Sequence, residues 1–279
     1  MRASKPADTN ADQVGSMREG VLTQKHLLIG EDGSPNNYDL NTGLAGAGGW
    51  RTPRHRHNFD QIRYVVEGDY PYMEDKVLPQ GWVAYFPESV YYGPQDRPEG
   101  LRTMVLQFGG ASGNGYLSVE GREAANDALK QKGEFKSGKF IYVDDSGEQR
   151  EEDASAACFE YATGRKLEFA APRYDGVIVM DPSAFAWLPG EDAGVEEKWL
   201  GSFTEREAKI GFIKIEAGAT YVAGKLPSIA ILFQTKGRIT INGEEFTQGS
   251  AFEFLPGEEL VSLDAETETE LLCMTLHRF

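Results

Sequence analysis

The chain has 279 residues, 28 of them basic and 44 acidic, for a net charge of −16. A surface this acidic repels a phosphate backbone, which sets nucleic acid aside as a partner, and no apolar run of about 18 residues offers a membrane span. Gly is abundant at 32 residues, with 13 Pro; frequent turns favour a β-rich fold over a helix bundle.

Residues 1–20 are polar, without the apolar centre of a secretory signal, and are expected to form a flexible tail. Cys158 and Cys273 lie far apart and form no CxxC pair, which argues against a disulfide scaffold and fits a reducing, cytoplasmic setting. Strand-like runs then recur between turn residues: VLTQKHLLI (21–29), QIRYVVEG (61–68), GWVAYFP (81–87) and LRTMVLQF (101–108). They are rich in Val, Ile, Tyr and Phe. The segment SVEGREAANDALKQKGEF (118–135) is rich in helix formers with sparse apolar residues and predicts one exposed helix. The charged run SGEQREEDAS (146–155) reads as a loop. Strand signals resume at KIGFIKIEAG (209–218), SIAILFQTKG (228–237), RITINGEEF (238–246), GSAFEFLPG (249–257) and ELLCMTLHRF (270–279). Asn-Gly in ITINGEEF is a hairpin-turn signal.

The two halves overlay. Gly68 matches Gly237, Gly81 matches Gly249, and MVLQF (104–108) matches MTLHR (274–278), which aligns His277 with Gln107. The repeated order of strand, Gly turn, strand and Gly-Pro turn is the mark of an internal duplication. The chain therefore divides into a tail (1–20), an N-terminal β-domain (21–110), a partly helical linker region (111–170) and a C-terminal β-domain (171–279). An all-β fold of the sandwich or barrel class follows. The KLPSIAILF run is too apolar for an open edge and is expected to be covered.

Two of the four histidines fall in one short stretch, Pro53-Arg54-His55-Arg56-His57-Asn58. On a strand, positions i and i+2 share a face, so His55 and His57 would present two imidazoles side by side, suited to one metal ion. Solvated edge histidines beside Arg54 and Arg56 are the alternative. The context adds to the pair. His55-x-His57-x3-Gln61-x6-Gly68 follows the spacing of the first cupin motif, and GWVAYFPESVYYGPQ (81–95) resembles the second. The chain thus resembles a bicupin, and its PRHRH…RYVVEG segment is similar to that of gentisate-type ring-cleaving dioxygenases. The resemblance implies two cupin-type jelly-roll β-barrels joined by the partly helical linker, with a metal site in the first. It departs from the family pattern where Gln61 stands for the usual Glu, Ser89 for the usual Gly and Tyr92 for the usual His. The implied metal set is His55, His57, Gln61 and Tyr92.

Gln61 brings a carbonyl oxygen but no charge, so a divalent ion would keep its full +2 and favour an anionic, chelating substrate. Tyr92 has three readings: a phenolate ligand, a general acid or base, or a plug of the barrel mouth. If Gln61 faces the interior, Arg63 and Val65 share that face, and a buried Arg63 needs an anionic partner, either a substrate carboxylate or an internal Asp or Glu. Tyr70, Tyr72, Tyr85, Tyr91 and Tyr92 suit either pocket walls or strand packing. Gln107 is a further polar candidate without a fixed direction. In the second half, Gly224, Leu226 and Ala230 take the places of His55, His57 and Gln61, so no metal is expected there. His26 and His277 are not expected as ligands.

The expected activity is that of a metal-dependent cupin enzyme, holding Fe, Mn, Ni or Zn, acting on a small anionic or aromatic metabolite. Oxygenase chemistry comes first, with Arg63 and Tyr92 as catalytic candidates, because few carboxylates leave open positions for substrate and O₂. A lyase or isomerase on the same site is the alternative, as is a non-catalytic small-molecule-binding bicupin with a degenerate metal site. A cytoplasmic homodimer is expected.

Overall fold

The computed structural model describes residues 1–14, 19–31 and 34–279. They form two compact units, one of residues Ala11–Gln24 and Ile29–Val179, the other of Met1–Asn10, Lys25–Leu28 and Met180–Phe279.

The first unit is built on an eight-stranded sheet that places Val83–Phe86, Phe59–Glu67, Arg102–Gly109 and Tyr38–Thr52 side by side at its centre. All of these neighbours run antiparallel. Asp39, Gln107, Gln61 and Phe86 are successive cross-strand partners, and directly opposed residues share a face. Gln61, Arg63 and Val65 alternate onto that face and are all buried. Behind them Val65, Tyr70, Tyr72, Phe86, Tyr92 and Leu101 pack as one cluster. The 15-residue strand Tyr38–Thr52 escaped the sequence reading because its glycines resemble a turn. They answer close approach instead: Gly49 has φ +74°, and a Cβ there would lie 2.3 Å from the Arg97 carbonyl oxygen.

The region expected to be a linker folds onto the first unit. Helix α1 (Val119–Lys130) is capped by the Ser118 hydroxyl, which accepts from Gly121 N at 2.9 Å. The expected exposed helix is therefore present, but it buries Val119, Ala125 and Leu129. The charged run expected to be a loop instead ends in a strand, Gln149–Asp153, paired with Lys139–Val143; backbone pairing, not side-chain polarity, decides there. Helix α2 (Ala154–Thr163) follows, with Asp153 accepting from Ser155 N and Ala156 N. Ala125 and Leu129 of α1 meet Ala157 and Cys158 of α2 and Phe140 in a small core of their own.

In the second unit a seven-stranded sheet faces a four-stranded one formed by Thr220–Ala223, Val261–Ala265, Arg238–Ile241 and Glu244–Thr247. Leu232, Phe246, Phe252, Leu263 and Leu271 lie in its core. The Asn-Gly hairpin forms as expected, with Asn242 and Gly243 both at positive φ. Ala230–Lys236 is covered on both edges, by Ala251–Phe254 and Thr269–Thr275. The flexible tail expected at 1–20 is corrected in part, residues 15–18 lying outside those described. Arg2–Ser4 is a strand on the edge of Ala251–Phe254, and Arg2 Nη2 donates to Glu253 Oε1 at 2.8 Å. An edge strand with a buried carboxylate recruits a basic segment.

Both units carry the same backbone irregularity. In the first, the register shifts where Val65 and Glu67 face Thr103 and Arg102; in the second, where Gln234 and Lys236 face Leu271 and Glu270. This supports the duplication and corrects its alignment. Gln61 faces Gln107, whereas its counterpart Ala230 faces Thr275, so Thr275 and not His277 matches Gln107. His277 is fully buried, with Nδ1 3.3 Å from the Thr204 hydroxyl.

Both cysteines are free and buried. Burial pushes the thiol of Cys158 up to about 11 and that of Cys273 up to about 12. At pH 8 only about a thousandth of Cys158 is then thiolate. The folded chain is expected to resist 5,5′-dithiobis(2-nitrobenzoic acid) for minutes and to release two equivalents of product once unfolded in guanidinium. Rapid labelling without denaturant would contradict the buried placement.

Candidate metal centre and its cavity

His55 and His57 lie in the connection before the strand Phe59–Glu67, outside any regular strand. The backbone still sets them in place. His55 exchanges two hydrogen bonds with Tyr92, at 2.9 and 3.0 Å, and Ser89 N donates to the His57 carbonyl at 2.7 Å. The two imidazoles come within 4.9 Å between ring centroids, edge to face. His55 lies 4.4 Å from the Tyr92 ring, and His57 stacks on Phe59 at 4.4 Å. His55 Nδ1 is 2.7 Å from the Pro53 carbonyl. A donor at Nδ1 assigns the lone pair to Nε2, the orientation that second-shell carbonyls give to metal-binding histidines.

Gln61 and Arg63 form a closed network beside this pair. Arg63 donates from Nη2 and Nε to Gln61 Oε1, at 2.7 and 3.3 Å, and from Nη1 to the Tyr70 hydroxyl. Gln61 Nε2 in turn donates to the Tyr92 hydroxyl at 2.7 Å. The guanidinium lies over the rings of Phe86, Tyr70 and Tyr92, at 4.8, 5.1 and 5.6 Å. Among the described residues no carboxylate comes within 4.0 Å of Arg63. The internal acid that was one expected partner of a buried Arg63 is therefore replaced by an amide, a phenol and aromatic faces. The Gln61 carbonyl, expected to face a metal, is turned to a cation.

Burial raises the Tyr92 phenol above its ordinary pKa, although Arg63 and the Gln61 amide pull it down. The neutral phenol, not phenolate, is the resting form. Of the other tyrosines, Tyr70 and Tyr72 pack in the interior cluster with Tyr92. Tyr85 turns to the opposite face and donates to Asp60 at 2.7 Å, and Tyr91 is exposed.

A cavity of about 70 Å³ opens beside His57. His57, Phe59 and Gln107 from the barrel, Tyr116, Arg122 of α1 and Phe159 of α2 share its wall. The Tyr116 hydroxyl donates to Gln107 Oε1 at 3.1 Å, which fixes the direction the sequence left open. Burial, with the negative charge of Asp39 next to it, pushes the Tyr116 phenol up. Arg56 stands at the edge, over Phe169 at 3.8 Å and Tyr91 at 4.8 Å. Tyr116, Arg122 and Phe159 were missed from the sequence because no motif marks them and their segment reads as a linker.

The donor set fits a divalent transition ion at the two imidazoles. It does not extend further: among the described residues no group of three or more His, Cys, Asp and Glu side chains could hold a metal. No helix among them is long and apolar enough to cross a membrane.

No protein-family model and no curated protein matches the chain. Solved structures do. A putative dioxygenase from Nostoc punctiforme superposes with a TM-score of 0.65 at 10% identity, over 99% of this chain and 82% of that one. A mutant oxalate decarboxylase from Bacillus subtilis gives 0.56 at 11%, over 98% and 76%. The bacterial pirin YhhW from Escherichia coli, in complex with nickel(II), gives 0.51 at 13%, over 100% and 99%. Two sheet-built barrels, a bulge repeated at the same place in each and these superpositions lead to one fold, the all-β double jelly roll of the bicupin type.

Proposed function

We propose that the first barrel is the site of a metal-dependent enzyme acting on a small anionic metabolite, with oxygenase chemistry as the leading reaction class. The observation that carries this reading is the imidazole pair, clamped by backbone bonds, with His55 oriented by the Pro53 carbonyl and His57 at the wall of a cavity. His55 and His57 would hold the ion. A divalent transition metal there would supply open coordination positions and Lewis acidity. The protein supplies the rest. Arg56, with no carboxylate within 4.0 Å among the described residues, attracts the anion. Arg63 fixes the Gln61 amide, and Gln61 holds the neutral Tyr92 phenol in place to donate a proton. A cavity of about 70 Å³ favours a compact acid over an aromatic ring. The dioxygenase, decarboxylase and nickel-bound pirin among the neighbours support the enzyme class by analogy of fold alone.

Metal analysis of untagged protein, reconstituted in turn with Fe(II), Mn(II), Ni(II) and Zn(II), tests this reading. Close to one ion per chain is expected, followed by oxygen uptake with small carboxylic acids. No retained metal under any condition would sink it. One observation favours a non-catalytic small-molecule binder instead: the Gln61 carbonyl is bonded to Arg63. Absence of metal together with saturable binding of a small acid would be the signature of that second reading.

The Arg63–Gln61 bond yields its own prediction. A guanidinium close to the imidazole pair opposes a divalent ion by Coulomb repulsion, which the interior screens less than bulk water does. Replacing Arg63 with Met removes that charge and releases the Gln61 carbonyl. Metal affinity is expected to rise by at least about tenfold. Unchanged or weaker binding in a calorimetric titration would contradict it.

A further inference from the structure

The first unit contains a second and larger cavity, of about 400 Å³, within the range of small-molecule sites. It shares no lining residue with the cavity beside His57. Tyr72, Tyr91 and Tyr174 give it aromatic walls, and Arg54 and Lys76 border it. Among the described residues neither cation has a carboxylate within 4.0 Å; Arg54 instead lies over the Tyr91 ring at 4.2 Å. Asp175 is the acidic residue of the lining, so the opening stays net positive. In a chain with 44 acidic against 28 basic side chains, two such cations at one opening are not a by-product of composition.

Ser89 makes the case stronger. It lines the same cavity at φ +69°, a conformation that glycine adopts freely and serine only with strain. The residue is 3% exposed, and among the described residues its Oγ has no hydrogen-bond partner. A strained backbone and an unsatisfied buried hydroxyl thus coincide in one wall, and each is a cost that a functional site explains better than packing does. Tyr72, nearly buried, keeps its phenol protonated and can donate a hydrogen bond.

We propose that this cavity binds an aromatic acid, a single ring bearing a carboxylate or a phosphate, with Arg54 and Lys76 on the acid and the ring among Tyr72, Tyr91 and Tyr174. The acid accounts for two cations without a carboxylate partner, and the ring for the aromatic walls. The site is independent of the histidine pair and of any metal there.

Calorimetric titration of the full chain with benzoate, phenyl phosphate and neutral benzamide tests the proposal. At least one of the two acids is expected to bind saturably below about 10 mM, and about tenfold tighter than benzamide. An Arg54→Gln, Lys76→Gln double variant is expected to lose about tenfold in affinity for that acid. Ser89→Gly is expected to melt higher, because glycine relieves the backbone. The His55→Ala, His57→Ala variant is expected to bind the probe as wild type does, whatever its metal content. No binding by either acid, equal binding of benzamide, or loss of binding in the histidine variant would overturn the assignment. The last outcome would place the probe at the histidine site.

Discussion

A chain carrying His55→Ala and His57→Ala is expected to keep its fold and to lose metal affinity by more than about a hundredfold, since even second-shell changes cost 10–100-fold. Both residues are only partly buried, and the backbone bonds that clamp them, His55 with Tyr92 and Ser89 with His57, do not depend on the imidazoles. Stability should therefore change by about 1 kcal/mol or less per site. No carboxylate, thiol or third imidazole stands ready to replace them among the described residues, so the loss should not be buffered. The measurement is metal per chain after dialysis, beside a thermal melt of the same sample. Metal retained at the wild-type level would remove the ion from the first barrel.

Phe252→Ala is expected to destabilise the second unit by about 3–5 kcal/mol, the usual result of emptying a large aromatic site. Phe252 is fully buried, meets Phe246 edge to face at 5.1 Å, and sits on a strand flanked by Ala230–Lys236 and Arg2–Ser4. Neighbouring strands on both sides restrain the backbone from collapsing into the void. Against a typical domain stability of about 5–15 kcal/mol, the loss is about a fifth or more. In a urea titration the midpoint of this unit should fall while the slope holds. A shift below about 1 kcal/mol would mean that the core refills around the gap.

How far the sequence revealed this molecule depends on the kind of interaction. Alternation and turn residues located most strands, as at 61–68 and at the Asn242-Gly243 hairpin, because those signals are local. Tyr38–Thr52 was hidden because its glycines serve neighbours distant in sequence. The match of His277 with Gln107 failed because strand register is decided by pairing, and Ala230 faces Thr275. At the site, spacing singled out His55, His57, Gln61, Arg63 and Tyr92, and all five converge. What spacing could not reveal is that Gln61 and Arg63, two apart on one strand face, bond to each other. A short-range side-chain bond of this kind leaves no trace in a motif that records residue types.

The division of labour around the smaller cavity has a further consequence. The strands that position His57, Phe59 and Gln107 lie in one stretch of chain, and the residues that roof the space, Tyr116, Arg122 and Phe159, come from another that is continuous and has its own small core. On the function proposed above, chemistry and selectivity would be encoded in separate, contiguous blocks. Substitutions, insertions or a wholesale exchange between residues 111 and 170 can reshape what enters without disturbing the imidazoles. If that function holds, the roof is the module through which this scaffold would acquire a new substrate range, by evolution or by grafting.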